Sequence, residues 1–311
     1  MIELESLYGL TTICQSVDVA YPHQIFRDRF ADLISKIKEA RFDTHDRVAA
    51  DLVYEKGYRG LLAAKSSQLD EAVICFSEAE SLGICVRGRE ASLLVQSLLL
   101  AQRSYYLYRQ NEFRNAIRDL KYSFSNDLAL ENDAAYSFLK IHRIQLLHNL
   151  IRIAARSGNW NYSIALGKAL LDYLEMPNEE FLNELDPPWN RGWNGGFYDL
   201  SVELISSMHA QIAEEVLKIL ECVASEPERN AEIISVLSTL APSRDRNIGS
   251  QADLWTIFET AWTNGGAPDA IVSAATPILQ HGPSPSAPLW RSVAVRTLGM
   301  LEVMAGEFPS P

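Results

Sequence analysis

The chain has 311 residues, of which 47% are hydrophobic and 22% are charged, the composition of an ordinary soluble globular protein. No apolar run approaches the roughly 20 residues that cross a bilayer. The first residues, from Met1 to Glu5, are acidic where a secretory signal is basic. These features favour a cytoplasmic protein that has no membrane partner.

Charge is divided unevenly along the chain. Residues 1–176 carry 21 basic and 22 acidic side chains, whereas residues 177–311 carry 7 and 18. The second part therefore holds a net charge of −11 out of the total of −12. Such an acidic balance opposes general attraction to a phosphate backbone, so we expect no nucleic-acid partner.

Apolar residues recur at spacings of three and four along nearly the whole chain, and no sustained period-two alternation occurs. After N-terminal helices around residues 4–13 and 25–37, the pattern predicts three helical hairpins. Either Thr44 or Asp46 is expected to cap the first helix of the first hairpin. The predicted pairs are residues 44–65 with 68–82, 87–109 with 112–125, and 131–156 with 160–175.

A loop separates these hairpins from the rest of the chain, because two prolines and three glycines between Asp186 and Gly196 exclude a helix there. We therefore divide the chain into N-terminal helices and hairpins (1–176), a Pro/Trp/Gly loop (177–196) and an acidic helical part (197–311). The two helical parts are expected to pack as one continuous array. Helices of the acidic part are predicted near residues 197–224, 228–240, 251–263, 268–280 and 287–305.

The turn inside each hairpin repeats one sequence pattern, in which two small or polar residues precede a large apolar residue and a small residue follows three positions later. A large side chain at the turn needs a small one facing it, so that two antiparallel helices can close on each other. The small residues lie 44 and 47 residues apart. The three segments run from Ser67-Gln68-Leu69 to Ala72, from Asn111-Glu112-Phe113 to Ala116, and from Gly158-Asn159-Trp160 to Ser163.

This pattern resembles the tetratricopeptide repeat family over residues 53–176. The family places a small residue at position 8 and small, bulky and small residues at positions 20, 24 and 27 of each repeat. The intervals exceed the roughly 34 residues of that family, which we attribute to longer helices rather than extra elements. The resemblance implies an all-α superhelix of antiparallel hairpins, with additional C-terminal helices. The residues at these positions are Gly60, Ala72, Phe76 and Ala79, then Ser104, Ala116, Leu120 and Ser123, and finally Ile151, Ser163, Gly167 and Leu170, of which the third set departs from the pattern.

In that family the first helix of each hairpin lines a concave groove, and position 13 of all three repeats is basic here. Such cations beside tyrosines suit either an extended peptide that carries carboxylates or an anionic helix, in a peptide or protein partner. The alternative is that each cation only complements the dipole at its helix C-terminus. A carboxylate clamp is not expected, because Gly57 and Leu61 occupy two of its positions. The resemblance implies these groove residues: Tyr54, Tyr58, Lys65, Gln102, Tyr105, Tyr108, Arg109, Gln145, Asn149, Arg152 and Arg156.

The Pro/Trp/Gly loop is the second candidate for contact with a partner, since aromatic side chains concentrate binding energy. Alternatively, its rings cap the open end of the array and pack against the C-terminal helices. The candidate lid or contact residues are Trp189, Arg191, Trp193, Phe197 and Tyr198.

Catalytic, metal and cofactor motifs are not recognised in the sequence. No two of the six histidines have the spacing that places metal ligands on one helix face. Asp127 and Asp133 are too sparse for a magnesium site and are expected in a solvated turn. The four cysteines form no close pair and are expected to be buried free thiols, with metal binding or a disulfide as the alternative.

The sequence therefore predicts a non-catalytic protein-interaction module, acting as an adaptor, assembly factor or regulator, without cofactor or metal. A structural subunit of a stable complex is the alternative, and a helical enzyme or small-ligand sensor is the third class. The partner's identity and the oligomeric state do not follow from the residues.

Overall fold

The computed structural model describes residues 22–175, 179–193 and 200–223, with residues 254, 257–258, 260–262, 266–280 and some positions between 293 and 301. The helices predicted near residues 4–13 and 228–240 lie outside this part, as do Phe197 and Tyr198. Every regular element within it is helical, which confirms the all-α class. The helices are α1 (Pro22–Arg41), α2 (Thr44–Lys65), α3 (Leu69–Gly83), α4 (Arg89–Arg109), α5 (Phe113–Glu131), α6 (Leu139–Arg156), α7 (Trp160–Glu175), α8 (Glu180–Asn183), α9 (Val202–Val223) and α10 (Pro268–Gln280).

Three antiparallel hairpins follow α1 in chain order. They pair α2 with α3, α4 with α5, and α6 with α7. In addition, α2 packs against α4, and α5 packs against α6. Helices packed as neighbouring pairs are what the sequence predicts, whereas the superhelical path of the array stays a prediction. None of the helices in the described part of the chain combines the length and the apolar run that a membrane-spanning segment needs.

The chain contains two compact units. One comprises residues 25–208 and includes the three hairpins, and the other comprises residues 1–24 and 209–311. In the second unit, Phe258 stacks on Trp262 with ring centroids 6.0 Å apart, and the Arg296 guanidinium lies 5.7 Å from the Trp262 ring centroid. The predicted continuity of the array through the whole chain stays a prediction.

The three hairpin turns share one backbone conformation. Ser67, Asn111 and Gly158 follow the first helices and adopt positive φ angles of 63°, 63° and 85°. Their separations of 44 and 47 residues match the sequence pattern. Each turn also contains the hydrogen bond of a Schellman motif, which spans six residues and satisfies one of the last carbonyls of the helix. Each is closed by an N–H···O bond of 2.9 Å: Gln68 to Ala63, Glu112 to Leu107 and Asn159 to Ala154.

Small residues close the hairpins as the pattern predicts. Ala72, Ala116 and Ser163 are fully buried where each second helix begins. A Cβ atom added to Gly60 would lie 3.0–3.2 Å from three atoms of the Phe76 ring, which explains the glycine facing this bulky side chain.

Three local predictions are wrong in the described part of the chain. Cys85 is exposed although burial is predicted, whereas Cys75 is buried. The cap of α2 is neither Thr44 nor Asp46 but Asp43, whose Oδ1 accepts the Asp46 N–H at 2.8 Å. The carboxylate of Asp46 instead accepts the backbone N–H groups of Arg87 and Gly88, each at 2.8 Å, and so holds the segment that leads into α4. These bonds, that of Arg87 foremost, lower the pKa of Asp46.

The predicted break between α5 and α6 is misplaced. Helix α5 continues to Glu131 instead of ending at residue 125, and a 3₁₀ turn, Ala134–Tyr136, interrupts the predicted helix 131–156. Buried Phe124, Asp127 and Leu130 extend the inner face of α5. The turn forms because Asp133 bonds locally and draws the backbone away from the helix. The second interval therefore contains an extra element as well as long helices.

Candidate protein-interaction site

The eleven groove residues all lie on the first helices of the hairpins, α2, α4 and α6. Nine of them are half-buried, and Lys65 and Arg156 are exposed. Each first helix therefore presents polar and aromatic side chains that retain access to solvent. A binding surface requires this placement.

Arg109 joins α4 to the end of α2. Its guanidinium donates to the hydroxyl of Ser67 at 2.9 Å and, more weakly, to the Lys65 carbonyl at 3.4 Å and the Tyr105 hydroxyl at 3.5 Å. A cation beside the last carbonyl of α2 complements the negative end of that helix. Arg109 thus complements a helix dipole, as the alternative interpretation of the basic positions predicts. The helix concerned is the neighbouring α2, however, and not α4, which carries Arg109.

The side chain of Arg156 likewise extends from α6 to the preceding first helix, α4. Its guanidinium carbon lies 4.9 Å from the centroid of the Tyr108 ring, within the range of a cation–π interaction. Tyr108 also contacts Tyr105, with ring centroids 5.8 Å apart. Planar cations and aromatic rings from two hairpins therefore form one continuous surface.

A further cation, Arg27, reaches this surface from α1. Its Nη1 atom lies 3.4 Å from the Tyr58 hydroxyl, and it also pairs with the exposed Asp28 at 3.0 Å. The Tyr58 ring stacks on Tyr54 with centroids 6.2 Å apart. Sequence reasoning missed Arg27, because the groove positions were counted only within the repeats. The buried Phe26 beside it marks the inner face of α1, which was the available signal.

Lys65 experiences the positive charge of this surface directly. Desolvation lowers its pKa first, and the charges of Arg152 and Arg27 lower it further. The side chain itself remains exposed. Cations from α1, α2 and α6 are thus close enough to repel one another. An anion placed among them would relieve this repulsion.

Gln102 is half-buried like most of the groove residues, but its amide oxygen is enclosed. Its Oε1 atom is buried and has no hydrogen-bond partner among the described residues. A Cβ atom at Gly57 would lie only 2.3 Å from that oxygen, so the absence of a side chain at Gly57 creates space for the amide. Glycine at position 57 therefore allows close packing of α2 against α4.

The lid candidates have different surroundings. Trp189 and Trp193 are only 3% and 0% exposed, and their rings pack against Phe124 of α5 at centroid distances of 5.1 and 5.8 Å. Tyr173 of α7 donates its hydroxyl to the Trp193 carbonyl at 2.8 Å. These two rings cannot reach a partner unless the core opens. Arg191 is exposed.

A buried arginine holds this loop in place. Arg143 of α6 is fully buried and forms a bidentate pair with Glu131, at 2.6 and 2.8 Å. It also donates to the carbonyls of Arg191 at 2.9 Å and Gly192 at 2.6 Å, and lies 4.6 Å from the Trp193 ring centroid. Sequence reasoning missed Arg143, because the loop carbonyls that it binds lie 48 and 49 residues away along the chain.

The structure also contains a buried polar network that includes Ser, Asp and His. Asp127 accepts the Ser97 hydroxyl and pairs with His142 Nδ1 at 2.8 Å, and all three residues are at most 3% exposed. Ser97 bonds to Asp127 and Ser123 rather than to His142, so these residues do not form the serine–histidine pair that activates a nucleophile. The network joins α4, α5 and α6. The prediction of a solvated turn at Asp127 is therefore wrong.

Among the residues that the structure describes, one group brings three possible metal ligands together. Ligand atoms of Asp43, His45 and Asp46 lie within 4.8 Å of one another. The carboxylates, however, already accept backbone N–H groups at the start of α2 and before α4. These bonds account for the cluster as a pair of structural caps.

Comparison with known proteins provides no identity. No family model, no curated protein and no solved structure matches the chain. The likeness to tetratricopeptide repeats therefore stays a prediction that rests on the turn pattern and the positions of small residues.

Proposed function

We propose that the hairpins form a non-catalytic protein-recognition module that binds an acidic peptide or protein segment along α2, α4 and α6. The observation that carries this proposal is the convergence of cations from four helices on one tyrosine-rich surface. Arg27 contacts Tyr58, Arg109 reaches the end of α2, and Arg156 covers Tyr108. Guanidinium groups bind carboxylates through paired hydrogen bonds, and half-buried rings supply contact area.

The electrostatics favour an anionic ligand over a neutral one. The charges of Arg152 and Arg27 lower the pKa of Lys65, after desolvation, and no carboxylate is among the causes of that shift. Cations that repel one another disfavour the free surface slightly, and a ligand that carries carboxylates removes this disadvantage. Binding should therefore weaken as salt concentration rises.

A pair of variants tests the proposal against a matched control. Arg152→Gln with Arg156→Gln removes two groove cations, whereas Arg114→Gln with Arg118→Gln removes two exposed cations from α5. The probe is a fluorescent glutamate-containing peptide, titrated against the full chain by anisotropy. We expect the groove variant to weaken binding about tenfold, the effect of two surface charge pairs, and the control to change it less than twofold.

Circular dichroism establishes that both variants keep the helical fold. Equal weakening by the two variants would show only an effect of net charge. Such a result, or a failure of the native chain to bind the peptide at all, contradicts the proposal.

A further inference from the structure

One side of helix α2 remains open to solvent. The other sides pack against α3 and α4, and an ion pair between Asp51 and Lys38 joins α2 to α1. Five exposed residues follow one another along the open side, at intervals of four, three, four and three positions. This alternation is the spacing of a coiled-coil seam, by which one helix packs along another. The five residues form the α2 stripe, which consists of Val48, Leu52, Glu55, Arg59 and Leu62.

The α2 stripe exposes aliphatic side chains along one narrow line. Val48 is 55% exposed, and Leu52 and Leu62 are 43% and 44% exposed. Single apolar residues are common on protein surfaces, but several on one face of a helix indicate a contact. Packing against a second helix would remove these side chains from water.

The two charged residues of the α2 stripe form no ion pair with another residue that the structure describes. Glu55 and Arg59 are both exposed. The charge of Arg59 lowers the pKa of Glu78 on α3, but less than Lys56 does, which pairs directly with Glu78 at 2.6 Å. Both charges of the stripe therefore remain accessible to a partner.

The α2 stripe is complementary to itself under a twofold axis. Leu52 and Leu62 lie at equal distances in sequence from position 57, and so do Glu55 and Arg59. When two copies of α2 lie antiparallel about this position, each Leu52 meets the partner's Leu62, and each Glu55 meets the partner's Arg59. Val48 then lies opposite the end of the partner's helix. A parallel arrangement would instead place each charge opposite its own kind.

We infer that the chain forms a homodimer in which α2 of one copy packs antiparallel against α2 of a second copy through the α2 stripe. Charge complementarity selects a second copy as the partner, because the same stripe supplies both members of each pair. One helix face is smaller than a standard interface, so we expect a reversible dimer with a Kd on the order of 10–100 μM.

This dimer is independent of the proposed function. The groove residues Tyr54 and Tyr58 lie on another side of α2, about 100° around the helix from the centre of the α2 stripe at 3.6 residues per turn. Dimerisation through the stripe therefore leaves these two groove residues outside the contact.

Charge reversal tests the antiparallel pairing. Glu55→Arg places bases opposite bases at both charge pairs of the dimer, and Arg59→Glu places acids opposite acids. We expect each variant alone to raise the dimer Kd at least about tenfold, because two attractive contacts become repulsive. An equimolar mixture of the two variants should dimerise with a Kd within about threefold of the native value, since every base then faces an acid.

Sedimentation equilibrium of the full chain measures these constants. The salt concentration is about 0.15 M, so that the net charge of −12 on each copy is largely screened beyond the contact. Circular dichroism establishes that each variant keeps the helical fold.

Leu52→Gln tests the apolar pairs. The substitution removes an apolar contact at both ends of the interface, and we expect the dimer Kd to rise about tenfold. Tyr122→Gln is the control, since Tyr122 is 59% exposed but lies on α5, outside the α2 stripe. It should change the Kd less than twofold.

The outcomes are decisive in both directions. A dimer that the stripe variants weaken, and that reforms in the mixture, supports the inference. A native chain that stays monomeric up to about 500 μM overturns it, as does a dimer that the stripe variants leave unchanged. Weakening by both charge variants without recovery in the mixture overturns the antiparallel pairing. None of these results bears on the binding of acidic peptides, which has its own titration.

Discussion

At the scale of single residues, the repeated hairpin depends on one position per turn. Ser67, Asn111 and Gly158 all occupy the left-handed region, yet only one of them is glycine. Side chains other than glycine are disfavoured there by about 1 kcal/mol, and asparagine tolerates the region best. The turn pattern was recognisable in the sequence, because it is local and uses residues with known backbone preferences.

Gly158→Ala isolates the energy of this conformation. A Cβ atom at Gly158 would have no neighbour within 4 Å, so the substitution introduces no steric contact. We expect a decrease of about 1 kcal/mol in the free energy of unfolding, measured with denaturant. Gly83→Ala is the control, since a Cβ atom there also has no neighbour within 4 Å and no positive φ occurs. Equal effects of the two substitutions would contradict the proposed role of the turn.

At the scale of elements, the helices were largely predictable and their junctions were not. Helix α7 has the predicted bounds, Trp160–Glu175, because its apolar spacing is continuous. The junction at residues 132–138 was misplaced. An aspartate such as Asp127 indicates a solvated position unless its buried partners, Ser97 and His142, are known. Such polar partners are distant in sequence, and periodicity does not identify them.

The loop after α7 illustrates the same dependence on distant contacts. Its tryptophans were recognised, but Arg143, which binds two of the loop carbonyls, was not. Burial raises the pKa of Glu131, and Arg143 opposes this rise. The buried pair thus links α5, α6 and the loop.

Arg143→Met tests this link. The substitution leaves Glu131 buried without its cation, and we expect the free energy of unfolding to fall by about 3–5 kcal/mol. Adding Glu131→Leu should recover part of the loss, because the uncompensated acid is removed, while the two loop carbonyls still lack a donor. Denaturant unfolding measures both changes. A loss below about 1 kcal/mol in the single variant would show that the loop is held by its rings alone.

At the scale of the whole molecule, charge is distributed so that one surface of the hairpins is basic within a strongly acidic chain. The cations at position 13 were predictable from the register of the repeat. Their contacts with the preceding helix were not, and neither was Arg27, since both depend on how separate helices pack. The sequence alone therefore identified candidate residues, and the structure shows which of them share contacts.

If this surface selects its ligand by charge, then reversing its charge should reverse its preference. We would replace Arg152 and Arg156 by Glu in the full chain and titrate it with the fluorescent glutamate-containing peptide and with its lysine analogue. We expect the variant to lose binding of the glutamate peptide and to bind the lysine analogue more tightly than the native chain does. Retained binding of the glutamate peptide by the folded variant, without a gain for the lysine analogue, would contradict it.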